Sequence, residues 1–116
     1  MTFRSYGHKP WGHYLNIFDA PYTKVKEILI KPGEAPSYQY HHKRSEIWVI
    51  VKGTAEVKLD GEVKTYGQGD VIHIPVKSKH QAKNIGDDDL VFIEVQLGEY
   101  FGEDDIVRLE DKYGRV

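Results

Sequence analysis

The sequence predicts an all-β domain, a sandwich or small barrel, on three observations. Short runs of strand-like residues recur along the chain, several with clean apolar–polar alternation. Clusters of Gly, Pro and Asp separate these runs at regular spacing. One cluster, Asp60-Gly61, is the strongest kind of short hairpin signal, because both residues tolerate the positive φ that a two-residue turn demands. With 116 residues, the chain is expected to form a single domain, 1–116, large enough to bury a core and too short for two.

Residues 1–12 are a polar, glycine-containing opening segment pinned by Trp11 in Pro10-Trp11-Gly12. Residues 13–18 alternate and read as a first strand, ended by a turn at 19–22. A second strand over 24–30 stops at Lys31-Pro32-Gly33. The stretch 33–46 follows, and its strand continues through Ile47-Trp48-Val49-Ile50-Val51. After a turn at 52–54, residues 55–59 and 62–66 are the two arms of the Asp60-Gly61 hairpin. Another turn, 67–70, precedes a strand over 71–74 that stops at Pro75. The last strands are 80–84 and 90–97, separated by the solvated acidic turn Gly86-Asp87-Asp88-Asp89. The tail, 98–113, lacks strand alternation and is expected to be irregular or to hold a short helical turn beginning near Asp104 or Asp105.

A net charge of −2 offers no basic field, so neither nucleic acid nor an acidic membrane surface is an expected partner. The absence of cysteine excludes disulfides, thiolate metal sites and a cysteine nucleophile. No apolar run approaches the roughly 18 residues of a membrane span. The N-terminus has no apolar signal core, so a cytoplasmic location is the expectation.

Chemistry concentrates in residues 33–46. Gln39 and His41, two apart on strand-like sequence, point to the same face. Glu46 follows a short polar run able to bend the chain back across that face. His80, in a later strand, is the fourth candidate. Oxygen and imidazole donors in this mixture suit one divalent transition metal such as zinc, iron or manganese.

Two blocks carry a resemblance. Gly33, Gln39, His41, Glu46 and Gly53, then Gly69, Pro75, His80 and Asn84, resemble the paired motifs of the cupin superfamily, a double-stranded β-helix or jelly-roll barrel. Gln39 replaces the first histidine of that pattern, and Lys77 stands where a glycine is usual. Lys9-Pro10-Trp11-Gly12, residues 53–57 and residues 93–108 narrow the match. Nearly the whole chain resembles the isomerase domain of type II mannose-6-phosphate isomerases. Larger members of that family often carry an upstream sugar-nucleotide transferase domain with no counterpart in these residues, so that activity is not carried over. Ile47 stands where the family commonly has a histidine, a change expected to alter the pocket near Glu46.

The resemblance implies a metal-dependent aldose–ketose isomerisation of a sugar 6-phosphate, mannose 6-phosphate with fructose 6-phosphate, through an enediol. Gln39, His41, Glu46 and His80 would hold the metal, and the resemblance favours zinc. Glu94 is the candidate base. It shares a strand face with Gln96, opposite Ile93 and Val95; that face either lines the barrel mouth, where burial would raise the carboxyl pKa, or meets solvent. Arg44, two residues before Glu46, would steady the enediolate or the phosphate, or else be a surface ion-pair partner. Arg108 would clamp a phosphate, with the same alternative. Trp11, Trp48 and Tyr100 would wall the pocket or fill the core. His42 should point away from His41, and His8, His13 and His73 belong to no motif, so these four read as surface or structural.

Two other readings use the same residues. One is a non-catalytic, metal-containing cupin that binds a sugar or sugar phosphate. The other is an iron-dependent oxygenase, because His41, Glu46 and His80 alone make a two-histidine, one-carboxylate set; Gln39 and the isomerase-like tail argue against it. Exposed edges of such barrels are commonly closed by a partner subunit, so a homodimer is expected.

Overall fold

A computed structural model describes residues 5–110. Among them are eleven strands, all antiparallel where paired, and no helix: β1 (Ser5–Lys9), β2 (Gly12–Ala20), β3 (Thr23–Ile30), β4 (Tyr38–Tyr40), β5 (Arg44–Lys52), β6 (Ala55–Leu59), β7 (Glu62–Tyr66), β8 (Val71–Ile74), β9 (His80–Asn84), β10 (Leu90–Gly98) and β11 (Val107–Glu110). One sheet runs β1-β2-β3-β10-β5-β8 and the other β11-β4-β9-β6-β7. This is the expected small jelly-roll barrel. No helix of the described residues is long and apolar enough to cross a membrane.

The inward faces of the two sheets meet in one core: Trp11, Ile28, Ile30, Trp48, Ile50, Ala55, Val57, Ile72, Ile74, Ala82, Leu90 and Phe92. Each fully buried isoleucine among them contributes roughly 1.5–3 kcal/mol through apolar area removed from water. Period-2 alternation puts these side chains on one face of each strand and leaves Ile47, Val49, Ile93 and Val95 on the other. The hairpin forms where the sequence places it, with Asp60 and Gly61 both at positive φ, 48° and 85°. Gly98 ends β10 where the backbone entering the neighbouring β5 comes close: a Cβ there would lie 2.3 Å from the Lys43 carbonyl oxygen.

Three segments differ from their sequence reading. The opening segment supplies an edge strand, β1, paired with β2, whose Tyr6 and His8 share an exposed face and leave no apolar alternation for the sequence to show. The stretch expected as one strand from the ligand region to Val51 is two, with His41 in the corner between β4 and β5. In the tail, Asp105 N–H bonds the Gly102 carbonyl in a turn and not a helix, and the chain then adds β11 alongside β4. Residues 111–113 of the expected tail lie outside the described residues. Lys77 takes the left-handed conformation (φ 67°) that a glycine would favour, so the turn before His80 keeps that backbone shape despite the substitution.

Candidate metal centre

Strand parity assembles the site. The inward residues are Lys26, Ile28 and Ile30 on β3, Arg44, Glu46, Trp48 and Ile50 on β5, His80, Ala82 and Asn84 on β9, and Leu90, Phe92, Glu94 and Gln96 on β10. Registry aligns the polar members. Glu94 lies opposite Lys26 on one side and Trp48 on the other, Gln96 opposite Glu46, and Gln39 opposite His80. Lys26, Gln39, Arg44, Glu46, His80 and Glu94 line a cavity of about 150 Å³.

Three of the four expected ligands converge there. The ligand atoms of His41, Glu46 and His80 all lie within 4.8 Å of one another. His41 Nε2 is 3.3 Å from Glu46 Oε2, and His80 Nε2 is 3.9 Å from Glu46 Oε1. Both imidazoles are oriented by the backbone: His41 Nδ1 lies 2.8 Å from the Asp105 carbonyl oxygen and His80 Nδ1 3.0 Å from that of Ser78. A carbonyl can only accept, so each Nδ1 carries the proton and each Nε2 turns a lone pair inward.

Gln39, the fourth expected ligand, lines the same cavity. Its Oε1 is buried without a hydrogen-bond partner. An unsatisfied buried acceptor costs about 1–3 kcal/mol, and a cation would relieve it. Two imidazoles, a carboxylate and an amide oxygen fit a divalent metal.

The carboxylates of the site are pushed in opposite directions. Burial alone would raise the pKa of Glu46, but His80, Arg44 and His41 more than offset it and hold the group well below the carboxylate range. Arg44 Nε donates to Glu46 Oε2 (3.0 Å), and Trp48 Nε1 donates to Glu46 Oε1 (2.9 Å). Burial, followed by the charge of Glu46, pushes Glu94 well above its ordinary value; Gln96 Nε2 donates to its Oε2 at 2.7 Å. Burial likewise lowers His41 to about 4, so its imidazole is neutral and free to ligate at neutral pH.

Of the sequence alternatives, the solvent-facing ones fail for two residues. Glu94 is 7% exposed and Arg44 4% exposed. Arg44 spans the site, its Nη2 3.3 Å from His41 Nε2. Arg108 is half-buried on β11, opposite Gln39, and lines the cavity. Trp11 and Trp48 both line the cavity and belong to the core. Tyr100 does neither: it is exposed, with Lys43 Nζ 5.2 Å from its ring. Ile47 faces away from Glu46 and is not on the cavity wall, so the expected change to the pocket does not occur through its side chain. His8, His42 and His73 are exposed, His13 is half-buried, and none lines the cavity. Asn84, in the second motif, ties loops together instead, donating to the Ile30 and Asp88 carbonyls at 2.8 Å each.

The sequence reading missed Lys26, Glu103 and Asp105. Lys26 is 4% exposed beside the apolar Ile28 and Ile30, a position its parity with them could have revealed. The Asp105 carboxylate accepts the His42 and Lys43 backbone N–H groups at 3.1 and 3.0 Å, a long-range contact that no local pattern encodes.

A family model described as Mannose-6-phosphate isomerase C-terminal matches residues 1–111. Mannose-1-phosphate guanylyltransferase ManC of Salmonella typhimurium is 49% identical over 109 residues, which is 94% of this chain and 23% of that protein. Alginate biosynthesis protein AlgA of Pseudomonas aeruginosa is 44% identical, with the same two coverages of 94% and 23%. The chain thus spans about a quarter of the length of these curated relatives. Among solved structures, capsular polysaccharide assembling protein CapF from Staphylococcus aureus superposes with a TM-score of 0.77 at 25% identity, over 92% of this chain and 34% of that one. An uncharacterised double-stranded β-helix protein from Klebsiella pneumoniae shares the fold, with a TM-score of 0.73 at 21% identity over 83% of this chain and 82% of that one.

Proposed function

Because the chain belongs to the mannose-6-phosphate isomerase C-terminal family, we propose that it is a metal-dependent sugar-phosphate isomerase interconverting mannose 6-phosphate and fructose 6-phosphate. The observation that carries this reading is the unpartnered Gln39 oxygen beside convergent His41, Glu46 and His80, in a cavity whose wall also bears a buried carboxyl, Glu94. Zinc is the favoured ion. When bound it would supply Lewis acidity toward the sugar's carbonyl and hydroxyl oxygens.

The remaining steps fall to the protein's own residues. Glu94 takes the proton from the hydroxyl-bearing carbon next to the carbonyl and returns it to the former carbonyl carbon, while the hydroxyl proton passes to the former carbonyl oxygen, which converts aldose to ketose through the enediol. Gln96 holds the Glu94 carboxyl in place through its 2.7 Å hydrogen bond. The buried Arg44 guanidinium is anchored on Glu46 through its Nε and turns its unpartnered Nη1 toward the phosphorylated end of the sugar. Arg108, at the cavity wall, adds positive charge that steers the anionic sugar phosphate into the cavity. The expected homodimer closes exposed sheet edges and remains part of the proposal.

Proton exchange tests the chemistry. In deuterated buffer the metal-loaded chain should place solvent deuterium at the transferred carbon position, and Glu94→Gln should suppress exchange and turnover together by at least about a hundredfold, within the usual yield of a positioned base. Exchange unaffected by Glu94→Gln would remove Glu94 as base. Metal and sugar-phosphate binding without exchange or turnover would select the non-catalytic binding reading.

A further inference from the structure

Glu103 stands at the cavity wall between two cations that belong to the barrel. Its Oε1 accepts from Lys26 Nζ at 2.6 Å, and its Oε2 lies 3.6 Å from Arg44 Nη1. The cations come from different strands, β3 and β5, and their side chains are only 5% and 4% exposed. Glu103 is different: it sits on the turn after Gly102, with 49% of its side chain exposed. The match is also incomplete. Arg44 Nη1 is buried without a hydrogen-bond partner, because 3.6 Å is beyond hydrogen-bond reach.

Two buried cations aimed at one half-exposed carboxylate, with a donor left over, describe an anion site filled by a stand-in. We propose that Lys26 and Arg44 form a phosphomonoester subsite, and that the Glu103 carboxylate occupies it until the ligand's phosphate displaces it. Arg44 has the Glu46 carboxylate at its Nε, but its Nη1 end and Lys26 Nζ both meet Glu103, and buried cations need an anion there to offset their desolvation. A carboxylate presents two coplanar oxygens; a phosphate presents three in a tetrahedral spread and carries more charge, so it can bond Lys26 Nζ and Arg44 Nη1 together. Glu103 gives up little on leaving, since its exposed carboxylate rehydrates. The Asp105 contacts to His42 and Lys43 can stay intact while the Glu103 side chain rotates away.

The nature of the ligand rests on the isomerase reading; the anion site does not. The test is therefore inorganic phosphate binding to the metal-free chain, followed by ³¹P NMR titration, where no phosphate–metal contact contributes. Glu103→Gln should tighten binding about tenfold and Lys26→Met should weaken it about tenfold, each the effect of one charge-assisted contact. Lys26→Arg, which keeps the charge, should bind within about threefold of the parent and guards against misfolding of Lys26→Met. Mannose 6-phosphate should follow the same order, whereas mannose should not respond to Glu103→Gln. Unchanged phosphate affinity in Glu103→Gln and Lys26→Met would overturn the proposal, as would loss of binding in Arg108→Ala alone or no binding by either the parent or Glu103→Gln. Absent turnover with this phosphate response intact would remove the isomerase reading and leave the anion subsite standing.

Discussion

Asp105→Ala probes how the tail holds the metal centre. The Asp105 carboxylate accepts the His42 and Lys43 amides at 3.1 and 3.0 Å, and its backbone carbonyl accepts the His41 Nδ1–H at 2.8 Å. Burial raises the pKa of this carboxyl, but the two amides and the neighbouring histidines outweigh it, leaving the group below the ordinary carboxylate range and ionised. A hydrogen bond to a charged group contributes about 1.5–3 kcal/mol. The two amides are only part-buried, so water recovers some of that on truncation. The expected loss is about 2–4 kcal/mol, seen as a lower urea midpoint at unchanged slope. Asp105→Asn, with one acceptor oxygen, should lose roughly half as much. The same truncation frees the turn whose carbonyl sets the His41 tautomer. Removing an orienting partner of a metal histidine typically costs 10–100-fold in affinity, so zinc competition against a chromophoric chelator should show a loss in that range. A parental urea midpoint, with zinc affinity within about twofold of the parent, would refute the idea that the tail fixes the ligand loop.

Other changes have equally definite outcomes. Trp48→Phe removes the donor to Glu46 Oε1 and part of the ring that packs 4.7 Å from Phe92; urea unfolding should register a loss of about 2–3 kcal/mol. At Lys77 (φ 67°), glycine should be neutral or stabilising by up to about 1 kcal/mol, whereas valine should cost more than about 1 kcal/mol, both read from the same midpoint. The Glu103 carboxyl is raised by burial but lowered more by Lys26, so its folded pKa lies below the unfolded one. Its contribution is therefore complete above the unfolded pKa of about 4.3 and lost as pH falls through the folded value; the stability difference between parent and Glu103→Gln should shrink on acidification from pH 6 to pH 3.

What could be read from the sequence was what local pattern encodes. Alternation located the strands of the core, and the cupin-like spacing singled out Gln39, His41, Glu46 and His80, which line one cavity although they sit on β4, the corner after it, β5 and β9. Parity also placed Glu94 and Gln96 on one face, though which face turned inward depended on pairing with β3 and β5. Tail residues were harder to place. Asp105 reads as a helix cap in isolation, and only its contacts to residues 62 and 63 positions earlier in the chain make it a clamp on the His41 loop. Strand β11, Val107–Glu110, alternates over only four residues, too short a run to stand out in the sequence, and forms along β4, a three-residue strand with a free edge. Arg44 reads as a surface residue by composition, surrounded by Lys43 and Ser45, yet alternation along β5 carries it inward with Glu46.

The most direct test of a four-residue metal centre serving an isomerase combines metal content with turnover of mannose 6-phosphate in a coupled fructose 6-phosphate assay, before chelation, after it, and after zinc is restored. One metal per chain, with turnover that disappears and returns with the ion and is lost in Gln39→Ala and His80→Ala, is the predicted result. A chain that takes up no metal on reconstitution, or turnover indifferent to chelation, would contradict it.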